Sequence, residues 1–368
     1  MELGALISDL RKARGWSQGR LASAINKAYG TTLTREYVSN WERSKVTPGA
    51  FYLAALSATL DVPLAVLEGQ VDRREFLTDV AGVAIAPVVA SDLLSAGFAA
   101  RLSGGPSVDA WEAQLATYGT EYMSLGAADI QRRVSGELVT VQQQLDNPRL
   151  WSVASRLMTL YAKTFPGSDG AKAVHWYRMA ARAADESGDD AARVWVRGRA
   201  AIALGYEGAS LGVADLLADQ AMAISDKPSL GLLNAIFGKA HAAAIRGDAD
   251  TARRLLEEGR RVFDKAGSYE QTSDYAVPYW RVNVFTSLLA ARLGDESTAV
   301  AAQDAARSEL PSSLPRFATH LEMHRGLMLA RSGDVSGGVS YARAALDALP
   351  PEKHSLTLRL LMTEVEQS

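Results

Sequence analysis

Three observations predict an all-α fold. Strand signals are almost absent, apolar residues recur at three- and four-residue spacing nearly throughout, and Ala-rich segments alternate with Gly, Pro, Ser and Asp. The chain has 368 residues, enough for two or three domains and a sizeable core, and 48% of them are apolar, which is a globular composition. Cysteine is absent, so disulfides, thiolate metal sites and a cysteine nucleophile are excluded.

The longest uncharged apolar run, residues 80–90, is broken by Pro87 and falls short of the roughly 20 residues a membrane helix needs. The stretch "DRREFLTDVAGVAIAP" resembles a twin-arginine export signal in its letters. It begins only at residue 72, behind a folded head, and reads better as a linker helix. The expected location is cytoplasmic, with no membrane partner.

The head divides into five short helices, about 2–14, 17–28, 34–43, 48–60 and 63–68. Ser17 and Thr34 are placed to cap the second and third, and Pro48 and Pro63 stand at helix starts. Residues 1–60 carry eight Lys/Arg against four Asp/Glu, although the whole chain has a net charge of −3. A basic head on an acidic body suits contact with a polyanion.

The third segment, "TREYVSNWERSK" at 34–45, mixes two acids with three bases. Helical spacing turns Val38 and Trp41 toward the core, with Leu21, Ile25, Leu53 and Leu56 as neighbours and Tyr37 nearby. Residues 35, 36, 39, 40 and 43 then share the exposed arc. Arg35 can pair bidentately with guanine, Asn40 with adenine, and Glu36 can accept from cytosine, with Ser39 as a minor contributor.

The run "LGALISDLRKARGWSQGRLASAIN…TREYVSNWERSKVTP…LAALSATLDVPLAVLEG" resembles the Xre/Cro-type helix-turn-helix family over residues 2–69. The resemblance implies a five-helix, lambda-repressor-like DNA-binding domain whose third helix enters the major groove. It implies a salt bridge between Glu42 and Arg11 that braces helix 3 against helix 1. It also implies that Gln18 contacts a phosphate and steadies Arg35, while Arg43 and Lys45 are phosphate contacts. One departure stands out: the turn between helices 2 and 3, "NKAYGTTLT", is several residues longer than usual.

Residues 70–108, ending in "SGGPS", read as a connecting helix and joint, and residues 109–368 as paired helices. Gly-Asp recurs at Gly247, Gly294 and Gly333, the Gly ending one helix and the Asp capping the next. Small residues flank each turn: Ala240, Ala252 and Gly259; Ser287, Ala299 and Ala306; Gly326, Gly338 and Ala345. This layout resembles the tetratricopeptide repeat, with about five degenerate repeats over 148–349 and a terminal cap. A non-repeating helical bundle is the alternative.

In such an array the first helix of each pair lines a groove, here with Asn234, Phe237, His241, Arg281 and His320, joined by Arg199 and Tyr206 from a looser repeat. The mixture of cationic and apolar groups suits a peptide or small anionic ligand, while packing, dimerisation or a protein partner explains it equally. "HLEMH" puts His320 and His324 on one helical face, but Glu322 points away and no H-E-x-x-H order is present. No catalytic residue, metal or cofactor is assigned. The sequence therefore predicts a homodimeric, sequence-specific DNA-binding regulator of double-stranded DNA. The alternative is an interaction adaptor whose head no longer reads DNA.

Overall fold

The computed structural model describes residues 3–60, 67, 86–125, 127–165, 170–350 and 354–368. Among them are eighteen helices and no strand. The chain divides into two compact units, Met1–Leu94 and Ser95–Ser368. The expected fifth head helix lies outside the described residues except for Leu67, and the RREFL stretch lies outside them entirely.

The first unit contains α1 (Leu3–Ala13), α2 (Gln18–Tyr29), α3 (Arg35–Glu42) and α4 (Ala50–Leu60). Its core joins Leu6, Ile7, Leu10, Leu21, Ile25, Leu56 and the two inward residues of α3, Val38 and Trp41. Tyr37 departs from the expectation. It sits one position round the helix from Val38 and is 56% exposed. Ser17 caps α2 by accepting from the Arg20 amide, whereas Thr34 holds the corresponding position of α3 without a side-chain cap bond. Helix α4 starts two residues after Pro48.

The long turn between α2 and α3 is rigidly tied. Gly30 ends α2 in the left-handed region, at φ 64°. The Asn26 carboxamide then accepts from the Leu33 amide at 2.7 Å and from the Thr31 hydroxyl at 2.6 Å, and donates to the Leu33 carbonyl at 2.8 Å. One side chain thus substitutes for a ladder partner, and buried Leu33 anchors the extra residues to the core.

Helix α5 (Ala86–Ser103) carries the division between the units. In the second unit, α6 (Val108–Ser124) and α7 (Ala127–Gln142) precede five helical pairs. These are α8 (Arg149–Ala162) with α9 (Gly170–Ser187), α10 (Asp190–Glu207) with α11 (Leu211–Ile224), and α12 (Leu230–Ile245) with α13 (Ala249–Ala266). The last two pairs are α14 (Tyr279–Leu293) with α15 (Glu296–Glu309) and α16 (Pro315–Arg331) with α17 (Val335–Asp347). Helix α18 (Leu356–Glu366) closes the array.

The Gly-Asp turns fold as their chemistry dictates. Gly247, Gly294 and Gly333 have φ of 81°, 70° and 105°. Asp248, Asp295 and Asp334 each accept from a backbone amide three residues on. Ala240, Ala252, Ser287, Ala299, Ala306, Gly326 and Gly338 are buried between paired helices. In the last pair Ala342 takes the buried place and Ala345 is only half-buried.

Candidate functional site

Two places concentrate polar chemistry, one in each unit. In the first, α3 exposes Arg35 and Glu36 to solvent, with Ser39 and Asn40 half-buried beside them. Arg43 and Lys45 are exposed in the turn that follows. Arg43 folds back on its own helix, donating to the Ser39 hydroxyl at 2.5 Å, and the Asn40 carbonyl accepts from the Lys45 amide at 2.9 Å.

Glu42 plays no part in that surface. Arg11 grips it bidentately at 2.5 and 2.9 Å, and the same guanidinium donates to the Trp16 carbonyl at 2.6 Å. Burial would raise the Glu42 pKa, but the Arg11 and Gln18 hydrogen bonds outweigh it and hold the carboxyl below its ordinary value. Gln18 joins the same brace, its amide donating to Glu42 at 2.9 Å. Sequence reasoning also overlooked Gly4. A Cβ there would lie 2.7 Å from the Ser44 hydroxyl and 2.8 Å from the Glu42 carbonyl, so only glycine lets α1 approach the end of α3.

The second place is a cleft in the helical array. Arg199, Tyr206, Arg281 and His320, four of the seven expected groove residues, line one cavity of about 130 Å³. It shares Tyr122, Lys163, Glu207, Arg316, Phe317, Ser355 and Thr357 with a wider cleft of about 400 Å³. Asn234, Phe237 and His241 do not line it. All three are fully buried between helices, because α12 is covered on both sides by its neighbours.

The floor of the cleft is an ionic cluster that the sequence did not reveal. Asp274, 1% exposed, receives both Lys163 contacts at 2.6 Å, Arg199 at 2.8 Å and Arg281 at 2.9 Å. It sits on the loop 267–278, which Arg281 also staples by donating to the Asp274 and Ala276 carbonyls at 3.1 Å. Burial would raise the Asp274 pKa, but Arg199, Lys163 and Arg281 hold it well below the carboxylate range. Burial, reinforced by Arg199, in turn pushes the Lys163 pKa well below that of a free lysine.

Beside this cluster the Tyr206 hydroxyl stands 3.3 Å from His320 Nδ1 and 3.0 Å from His324 Nε2, while Ser287 Oγ lies 3.0 Å from His324 Nδ1. His241 Nδ1 accepts from Arg292 at 3.0 Å. Burial lowers all three histidine pKa values, that of His320 to about 3 with Arg316 adding to it, and Arg292 works in the same sense on His241 and His324.

The folded array therefore keeps these rings neutral where the unfolded chain, with pKa near 6.5, takes up protons. Stability should fall as pH drops below about 6.5, each ring contributing about 1.4 kcal/mol per pH unit. Glu207, raised by burial, opposes this near its own titration. Urea unfolding at pH 7.5 and 5.5 tests the sign, and a flat profile would count against buried neutral histidines.

Residues 7–67, within the first unit, match the helix-turn-helix family model. A solved structure similar in outline is that of Bacillus thuringiensis PlcR in complex with the peptide PapR7 and DNA. It is 15% identical with a TM-score of 0.35, and the match covers 72% of this chain and 94% of that one. No curated protein matches the chain. Among the described residues no helix is long and apolar enough to cross a membrane.

Proposed function

We propose that this protein is a cytoplasmic, sequence-specific DNA-binding transcriptional regulator. Its head reads a half-site, and its helical array dimerises and receives a peptide, a small ligand or a partner protein. The observation that carries the reading is the division of labour on α3. Val38 and Trp41 are buried, Glu42 is locked to Arg11, and Arg35, Glu36, Ser39 and Asn40 are left on one accessible arc. Arg35 pairs with guanine, Asn40 with adenine and Glu36 with cytosine, while Arg43, Lys45 and Gln18 contact or order phosphates.

Fragments selected from random DNA, titrated by fluorescence anisotropy, provide the test. Arg35→Ala and Asn40→Ala should each lose about 1–3 kcal/mol of preference for the selected site with the fold intact. Arg43→Ala should weaken all sequences alike and lower the salt slope by about one. Absence of DNA affinity at low salt would leave an interaction adaptor instead.

Dimerisation is supported by two apolar side chains one helical turn apart on α5, Phe98 and Leu102, which are 69% and 86% exposed. Two heads would then meet half-sites about one helical turn apart, about 34 Å. Phe98→Asp with Leu102→Asp should convert a dimer to a monomer in sedimentation. An unchanged dimer would place the interface elsewhere.

A further inference from the structure

The ionic cluster in the array holds more positive charge than it neutralises. Lys163, Arg199 and Arg281 share one carboxylate, that of Asp274. Arg316 lines the same cavity and has no carboxylate partner among the described residues. The one other acid on the wall is Glu207, which accepts from the Thr357 hydroxyl at 2.9 Å and whose pKa burial raises. The Nε–H groups of Arg199 and Arg281 are buried without a partner, and both side chains are more than nine-tenths buried. Desolvated guanidinium groups left with spare donors are costly unless an anion satisfies them.

The rest of the lining is largely apolar. Ile202, Val284, Phe285 and Phe317 line the cavity, and the Phe317 ring carries the guanidinium groups of both Arg281 and Arg316 at 5.8 Å. We propose that this cleft binds a small organic anion with an apolar body. Its carboxylate or phosphate head sits against Arg199, Arg281 and Arg316, and its body lies against Ile202, Phe285 and Phe317. This deepens the reading of the array as a ligand receiver and does not depend on the head reading DNA.

The wall also includes Tyr122 from α6 and Thr357 from α18, so one ligand touches the first and last parts of the unit. Burial and, after it, repulsion from Arg199 depress the Lys163 pKa; an anion here offsets the repulsion, so binding takes up a proton wherever that lysine is neutral.

Thermal unfolding and calorimetry of the full chain decide the matter, with octanoate, octyl phosphate, inorganic phosphate and 1-octanol as probes. Octanoate or octyl phosphate should bind saturably and raise Tm by about 5 °C at about a hundredfold excess over Kd. The stronger of the two identifies the head group, and 1-octanol should do neither. Arg316→Gln, at the half-buried rim, should remain folded and weaken the anion about tenfold. Phe317→Ala should remove the gain from the alkyl chain. An equal response to 1-octanol, no saturable binding of either alkyl anion, or unchanged affinity in Arg316→Gln would overturn the proposal. So would inorganic phosphate binding as tightly as octyl phosphate. DNA affinity of the same samples is read separately, so a failed anion titration leaves the DNA reading standing.

Discussion

Replacing Asp274 with Ala should destabilise the helical array by more than about 5 kcal/mol, because it strands three cations in a buried site. The carboxylate is the shared counter-charge of Lys163, which caps the C-terminus of α8, and of Arg199 and Arg281 from α10 and α14. Removing one partner of an ordinary buried pair costs about 3–5 kcal/mol, since the other charge is left without water or a counter-ion. Here part of the loss is softened, because Lys163 can shed its proton. The two guanidinium groups cannot.

Asp274→Asn separates charge from shape. It keeps the volume and the loop's backbone anchor, the Asp274 amide donating to the Gly119 carbonyl at 2.7 Å, and should still cost about 3 kcal/mol. Added chloride or phosphate should restore part of the stability of either variant. Urea unfolding of the full chain measures each value. If Asp274→Asn unfolds within about 1 kcal/mol of the parent, the cluster is not the keystone of the fold.

Helical spacing identified the inward pair Val38 and Trp41, and Gly-Asp punctuation located three turns, because both signals are local: periodicity and capping each act within a few residues. The exposure of Tyr37 and the Gln18–Glu42 bond were not legible, because both are set by packing between helices. A rotation of one position exposes Tyr37, and the Gln18 amide donates to Glu42. The groove was half legible. Arg199, Tyr206, Arg281 and His320 share the cleft, whereas Asn234, Phe237 and His241 sit on the helix most deeply covered.

Asp274 left one trace. The interval from Gly247 to Gly294 is 47 residues against 39 for the next, and most of the difference lies in the loop 267–278 that delivers the carboxylate, which is longer than the 310–314 loop of the next interval. Irregular spacing in a repeat marks an insertion, and insertions in arrays gather on one face. Its long-range partners, Lys163 above all, have no local signature.

Gly198→Val or Gly231→Val should abolish the cooperative unfolding of the array, a larger loss than the roughly 1–3 kcal/mol usual for overpacking. The two glycines face each other where α10 crosses α12, and Gly205 faces Gly238 one heptad further on. A Cβ on Gly198 would fall far inside contact distance of the Gly231 carbonyl, and one on Gly231 would lie 2.7 Å from the Trp195 backbone. Ordinary overpacking is absorbed by side chains that change rotamer. In this crossing the obstacles are backbone atoms of helices fixed by their own hydrogen bonds, so relief requires the helices to part.

Parting them exposes a core that includes Ala201, Leu233, Ala235 and Ile236, and it pulls Arg199 away from Asp274. Gly212→Val serves as the control, since a Cβ there meets nothing and valine is no poorer a helix former than glycine, so its stability should stay within about 1 kcal/mol of the parent. The pairs Gly198/Gly231 and Gly205/Gly238 are each 33 residues apart, close to the 34 of a tetratricopeptide unit, a repeat signal hidden by the longer loops downstream. Circular dichroism melts should show a broad, low transition for the crossing variants and a sharp one for the control. A sharp transition in Gly198→Val at the parent's Tm would mean that the helices do not cross this closely.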